Sequence, residues 1–407
     1  MGHNTARAAG AADSGLRLAV ALLGYFVLVT LVITLSPFDF SPRPIRISWL
    51  VKPSDVIANI ALFLPIGFLL RSLAPARDEH FWRAVWLAGV FSLVIEIAQL
   101  FIRGRFVSPI DVTTNTCGAC LGVLLRDRIE RWSIWNTRLA GRIGLDIPLV
   151  GLLYLLVPQL WLSGVGIVDD PRRGVTTMLL GGAGSVVLAA FRRRRWENGV
   201  RLAARVIPLL ALLWFMVGAL PALAAAPQMF GAMALTVVLL TWWLIARSPG
   251  SDERRFEVET LRHFLPVFGL YVIVSALWPP FRSPAAWHGA IGFSNRLHNA
   301  GVFDLLVLLE QVGAFTLLGY AFAEWSGRRE LTLAADMRRV ALPVLAFALG
   351  LEAVQGVLSG PGASLLRALL STAGAAYGVA VYHLARAHVR ALRATSMHDS
   401  GTIDAAA

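Results

Sequence analysis

Apolar residues along this chain fall in long blocks, not in one-sided stripes. Each block is closed by charge, Pro or Gly, and the blocks recur over most of the sequence. Crossing about 30 Å of hydrocarbon at about 1.5 Å per residue takes roughly 20 helical residues. Helix is expected over strand because, in lipid, each backbone N–H and C=O has to be satisfied within its own segment. The pattern predicts about twelve spans, at 17–36, 56–73, 83–102, 108–125, 145–163, 174–191, 202–220, 229–246, 262–280, 303–323, 339–358 and 364–385. The fourth carries Asp111 and Asn115 in its first turns, and the sixth is short. The first lacks a small-residue cleavage site and runs into Ser36-Pro37-Phe38, so it reads as a retained span.

Composition narrows the class further. Of 407 residues, 57% are hydrophobic and only 15% charged, with a mean hydropathy of +0.65. That is too little charge for a water-exposed globule, for which about a quarter is usual. Two cysteines exclude a disulfide scaffold, and no Cys/His pairing suggests zinc, so neither metal nor cofactor is expected. The net charge of +12 is spread over alternate loops. With both termini on one side, basic residues divide 27 to 9 in favour of that side, and Arg367 lies within a span. The positive-inside rule then makes both termini cytoplasmic. The dense run Arg192 to Arg195 reads as a stop signal beside anionic head groups, and nucleic-acid binding is set aside.

An internal repeat is visible in the motifs. Asn59, Phe63, Gly67 and Phe68 are matched in register by Gln311, Phe315, Gly319 and Tyr320. Glu96 and Gln99 correspond to Glu352 and Gln355, and at the same offset Ser108, Gly118 and Gly122 meet Ser364, Gly374 and Gly378. Both copies begin with a span running from inside to outside, so the repeat is parallel. The expected fold is all-α and polytopic, with four spans, four linking spans and four spans again. Residues 15–130 form the first module, 140–250 the linking block and 258–390 the second module. Segments 1–14 and 391–407 are expected to be disordered. The linking block reads mainly as packing, with Gly181-Gly182-Ala183-Gly184 permitting close helix approach.

Ionisable groups inside spans are costly and face a cavity or a partner. Asp55 and Asn59 share a face at the outer end of span two, Glu96 and Gln99 the outer half of span three, and Asp111 and Asn115 the outer turn of span four. These six converge at one depth and form the candidate binding cluster; no catalytic residue is assigned. The competing reading makes Asp55 and Asp111 helix caps and Glu96 with Gln99 a structural network. In the second module Asp55, Asp111 and Asn115 give way to Val307, Arg367 and Ser371. A Glu352–Arg367 ion pair is expected there, so Gln311, Glu352, Gln355, Arg367 and Ser371 are read as structural counterparts. Glu310 is placed with Gln311 in that second cluster, and Asp304 reads as a cap. Cys117 and Cys120 read as packing residues. The segment from Phe281 to Ala300 reads as a lid or interfacial anchor.

The ordered set Ser36-Pro37-Phe38, Asp55-x-x-x-Asn59-Ile60-x-x-Phe63-x-Pro65-x-Gly67, Glu96-x-x-Gln99 and Asp111-x-x-x-Asn115-x-x-Gly118-x-x-x-Gly122 resembles the VanZ-like family of bacterial membrane proteins. The resemblance covers about 17–128 well and 262–385 in decayed form. It implies a helical module in the bacterial inner membrane, linked to resistance to the glycopeptide teicoplanin. The partner it implies is an envelope lipid, a lipid-linked precursor or a lipophilic glycopeptide. Two other classes stay open. One is a transporter of a lipid or amphipathic drug, although polar groups high in the membrane and the lack of broken-helix signals count against it. The other is a membrane enzyme using Glu96 and Asp111 as acid and base, although no nucleophile, metal triad or phosphate loop accompanies them.

Overall fold

The computed structural model describes residues 2–35, 40, 49, 52–73, 78–102, 107–135, 149–165, 167–168, 170–192, 204–247, 256–278, 287, 289–291, 302–329, 331–358 and 362–404. Among these the structure is almost entirely helical. The helices are α1 (Gly2–Leu35), α2 (Pro53–Ser72), α3 (Asp78–Gln99), α4 (Pro109–Trp135), α5 (Val150–Gly164), α6 (Pro171–Ala190) and α7 (Val206–Gly218). They continue with α8 (Leu220–Ala225), α9 (Pro227–Arg247), α10 (Phe256–Leu277), α11 (Val302–Ser326), α12 (Leu333–Val357) and α13 (Leu365–Asp404). Two short parallel strands, β1 (Gly289–Ala290) and β2 (Ala363–Ser364), pair with each other.

Each of the twelve anticipated spans falls on one of these helices, and α8 is additional. Among the described residues, nine helices are long and apolar enough to cross a membrane. The exceptions are α4, α5 and α7, besides the six-residue α8. With 13 residues, α7 rises only about 20 Å. It ends at Gly218, and α8 starts with Leu220 and Pro221. Pro221 has no N–H to give to the carbonyl of Val217. The indole of Trp161 supplies the missing donor at 3.0 Å. This broken helix corrects the expectation that no such signal exists. Helix extends to Gly2 at one end and to Asp404 at the other. Both tails are rich in Ala, which propagates a helix that an apolar span has already nucleated.

The chain divides into two compact units, residues 1–148 with 383–407, and residues 149–382. In the first unit α2 packs most closely on α4. A β-carbon added at Gly67, Gly118 or Gly122 would run into the main chain of Ala119, Ile60 or Leu64. Because Ile60 meets Gly118 and Leu64 meets Gly122, α2 and α4 run in the same direction, with α3 returning beside α4. Arg71, buried in the last turn of α2, closes one end of this pair with Asp127 at 2.7 Å. Cys120 packs against Ala84, Val85 and Val123, whereas Cys117 is exposed.

Within the second unit, β-carbons at Gly319, Gly374 and Gly378 would meet the main chain of Ala375, Val312 and Thr316. The glycine tract of α6 faces bulk instead of backbone: Gly181 lies against Val237 and Phe215, and Gly184 against the Trp214 ring.

Candidate functional site

At one end of the first unit, α1 and α3 finish and α2 and α4 begin. Helix ends leave unpaired carbonyls and N–H groups, and the polar side chains gathered here answer them. Gln99 lies in the last turn of α3 and donates Nε2 to the carbonyl of Thr34, one residue from the end of α1, at 3.0 Å. Ser108 precedes Pro109 and caps α4, its Oγ accepting from the backbone N–H of Asp111 at 3.3 Å. A small polar residue followed by Pro is a favourable helix start. Glu96 then holds that cap in place, since its Oε2 accepts the Ser108 backbone N–H at 2.9 Å. The carboxylate therefore ties the end of α3 to the start of α4, and it is 3% exposed.

The remaining candidates form a gradient from surface to interior. Asp55 is exposed in the first turn of α2 and takes a bond from Ser54 Oγ at 3.2 Å. Asn59, one turn deeper and half-buried, donates Nδ2 to Asp111 Oδ1 at 3.0 Å and to Thr114 Oγ1 at 3.2 Å. Asn115 is buried and donates Nδ2 to Ser92 at 2.9 Å. Its Oδ1 is also buried and has no hydrogen-bond partner among the described residues. The structure thus brings Asn59 against Asp111, Glu96 against the base of the Asp111 turn, and Asn115 against α3. Asp55 stands apart at the rim. Thr34, Ser92 and Thr114 take part and were not foreseen. A hydroxyl one helical turn from a known polar residue is the signal that would have found Ser92, four before Glu96.

In the second unit the same bonds recur 256 residues later along α12 and α13. Glu352 Oε2 accepts the Ser364 backbone N–H at 2.9 Å, and Ser364 Oγ accepts from Arg367 N at 3.2 Å. Gln355 donates to the carbonyl of Ala276, one residue from the end of α10, at 2.8 Å. What differs is the side chain in the Asp111 position. The Arg367 guanidinium is bound to Glu352 at 2.7 and 2.5 Å, to the carbonyl of Gly362 at 2.7 Å and to Gln355 Oε1. Gln311 reaches Glu352 Oε1 at 3.5 Å, and Ser371 bonds back to the Arg367 carbonyl at 2.9 Å.

A further polar cluster corrects the reading of the linking block as mainly packing. Asp170 caps α6, accepting from Arg172 N at 2.9 Å, with Pro171 in the first helical position. This carries Arg172 and Arg173 into the helix bundle, where both are buried, rather than into a loop. Arg172 bonds Asp170 at 3.1 Å and the carbonyl of Ser275 at 3.0 Å, and it lies 3.7 Å from Glu310. Arg173 donates to the Leu162 carbonyl. Glu310 accepts from Ser163 at 3.1 Å, and Gln159 donates to Tyr271 at 2.9 Å. Glu310 therefore leaves the Gln311 cluster for this one, because adjacent helical residues point to different faces. The Asp304 side chain and most of Phe281 to Ala300 lie outside the described residues. Trp287 and Ile291 of that segment are exposed, and Ile291 O accepts from Leu366 N at 3.1 Å.

Among known families, the VanZ/LLP1 model matches residues 17–130. No curated protein and no solved structure matches the chain.

Proposed function

We propose that the VanZ-like module formed by residues 17–130 binds the polar head group of an envelope amphiphile. That amphiphile is a membrane lipid, a lipid-linked precursor or a lipophilic glycopeptide, and its apolar part stays in the bilayer. The observation that carries this reading is the polar gradient at one bundle end. Half-buried Asp111 and Asn59 lie over buried Glu96, Gln99 and Asn115, and one buried carbonyl oxygen of Asn115 is left without a partner among the described residues. Polar groups that served packing alone would be expected to pair off completely.

In this reading the chain sits in the bacterial inner membrane with both termini in the cytoplasm. The polar end of the first module then faces outward, beneath the outer head groups. Residues 258–390 are its degenerate second copy, supported by the recurring Glu–Ser–Gln geometry and glycine contacts. The copies flank a linking block in a four, four and four arrangement. Teicoplanin resistance is the phenotype to test first. Glu96→Gln and Asp111→Asn should each abolish the resistance or lipid phenotype of the wild-type chain, with protein levels in the membrane unchanged. Normal phenotypes in both variants, at normal expression, would end the proposal.

A second reading, transport of a lipid or amphipathic drug, draws on a different observation. Arg172, Arg173 and Glu310 are buried together inside the bundle of the second unit, beside the broken pair α7 and α8. Buried charges and discontinuous helices mark substrate pathways in transporters. Flux of a labelled lipid or drug in proteoliposomes, lost in Glu310→Gln, would favour it, and no flux would retire it.

A further inference from the structure

A column of polar side chains runs inward from one end of the second unit, where α5 and α10 finish and α6 and α11 begin. Asp170, partly exposed, stands at its mouth. Arg172 follows, bound to Asp170 at 3.1 Å and to the Ser275 carbonyl at 3.0 Å. Glu310 and Ser163 come next, 3.1 Å apart. Gln159 lies one turn of α5 deeper than Ser163, five residues before the helix ends and so roughly 8 Å in. Its Nε2 donates to the Tyr271 hydroxyl at 2.9 Å and to the main-chain carbonyl of Glu310. Both hydrogens of that carboxamide are then used. Its Oε1 has no hydrogen-bond partner among the described residues, and neither does Glu310 Oε2, although the two residues are 0% and 1% exposed. Glu310 Oε2 faces Arg172 Nη2 across 3.7 Å, which is too long for a direct hydrogen bond.

Two buried acceptors on hydrogen-bonded residues, with a guanidinium N–H beside one of them, define the group that belongs there. It donates twice and accepts once. Water does so, and a polar contact longer than a hydrogen bond is where a bridging water is expected. An ammonium ion cannot accept from Arg172, and any cation is repelled by Arg172 and Arg173, whose charges already balance Asp170 and Glu310. A halide cannot donate to either oxygen. A proton on Glu310 supplies one donor only and leaves two guanidiniums against Asp170 alone. We infer that the second unit binds a water molecule between Glu310, Gln159 and Arg172, supplied from the Asp170 end of the bundle. That water completes a hydrogen-bonded chain from partly exposed Asp170 through Arg172, Glu310 and Gln159 to the buried Tyr271 hydroxyl. The chain is a hydrated inlet into the interior of a helical bundle, and it depends on neither reading of function above.

X-ray radiolysis splits bound water where it sits, so a side chain beside it is oxidised even when bulk solvent cannot reach it. The test applies such pulses to the full chain in detergent micelles and locates the oxidised residues by mass spectrometry. Tyr271 should be oxidised well above Phe264, corrected for the reactivities of the free amino acids. Phe264 is the control because it is equally buried, two turns away on α10, and stacked on Phe268 in apolar surroundings. Gln159→Leu removes one acceptor and should lose the Tyr271 oxidation. Glu310→Gln should lose it too, because the new Nε2 donates to Gln159 Oε1 in place of the water. Should both variants fail to fold, the wild-type comparison of Tyr271 with Phe264 decides alone. Oxidation of Tyr271 no greater than that of Phe264 would overturn the inference and assign the missing donor to a proton on Glu310. Oxidation that persists unchanged in both variants, each monodisperse, would also overturn it, by placing the water elsewhere.

Discussion

Glu96 and Glu352 illustrate how a buried carboxylate can serve as framework. Each holds a capping serine's N–H, which explains why a carboxylate is tolerated so deep in an apolar bundle. The remaining acceptor capacity decides the chemistry, and in the second unit Arg367 takes it. Removing only one member of that pair strands the other in the interior, at a cost of about 3–5 kcal/mol. Arg367→Ala should therefore lower the thermal midpoint of the purified protein sharply, and Arg367→Met combined with Glu352→Met should recover most of the loss. Full additivity of the two changes would show that the residues do not act as a pair. At Ser92, replacement by Ala leaves Asn115 Nδ2 without its 2.9 Å bond. The expected loss is about 1–3 kcal/mol, read as a drop in thermal midpoint, and no drop would mean that Asn115 re-pairs elsewhere.

At the scale of elements, the first unit depends on the main-chain approach of α2 to α4. Gly122→Leu should disrupt it, because even a β-carbon there collides with the carbonyl of Leu64. Gly231 in α9 has open space around its Cα. Gly231→Ala should accordingly be neutral or stabilising by up to about 1 kcal/mol. Comparable losses at the two glycines, measured by recovery of monodisperse protein, would contradict the packing argument. Helix positions were readable in the sequence because block length alone announces a span in lipid. The pairings that close the bundle end were readable only in part. Asn59 with Asp111 followed from shared depth, but Ser92 and Thr34 are ordinary residues in apolar runs, and a main-chain acceptor leaves no trace in sequence. The burial of Arg172 and Arg173 could have been seen, since Asp170-Pro171 is a strong helix start. The Glu310 side chain was misassigned because one step along α11 changes the face it presents.

For the whole molecule, the proposed arrangement makes a topological prediction that is independent of any ligand. Reporters fused before Gly2 and after Asp404 should both report the cytoplasm. One introduced at the exposed Asp55 should report the opposite side. A periplasmic terminus would invert the site and detach it from the outer leaflet. The central claim, that the bundle end of the first module is a head-group site, is tested most directly by native mass spectrometry of the full chain released from membranes. Wild type and the Arg367→Met/Glu352→Met double variant should retain a bound amphiphile of the same mass, and Glu96→Gln and Asp111→Asn should lose it while staying folded. Retention of the same species by all four proteins, or by none, would contradict the claim.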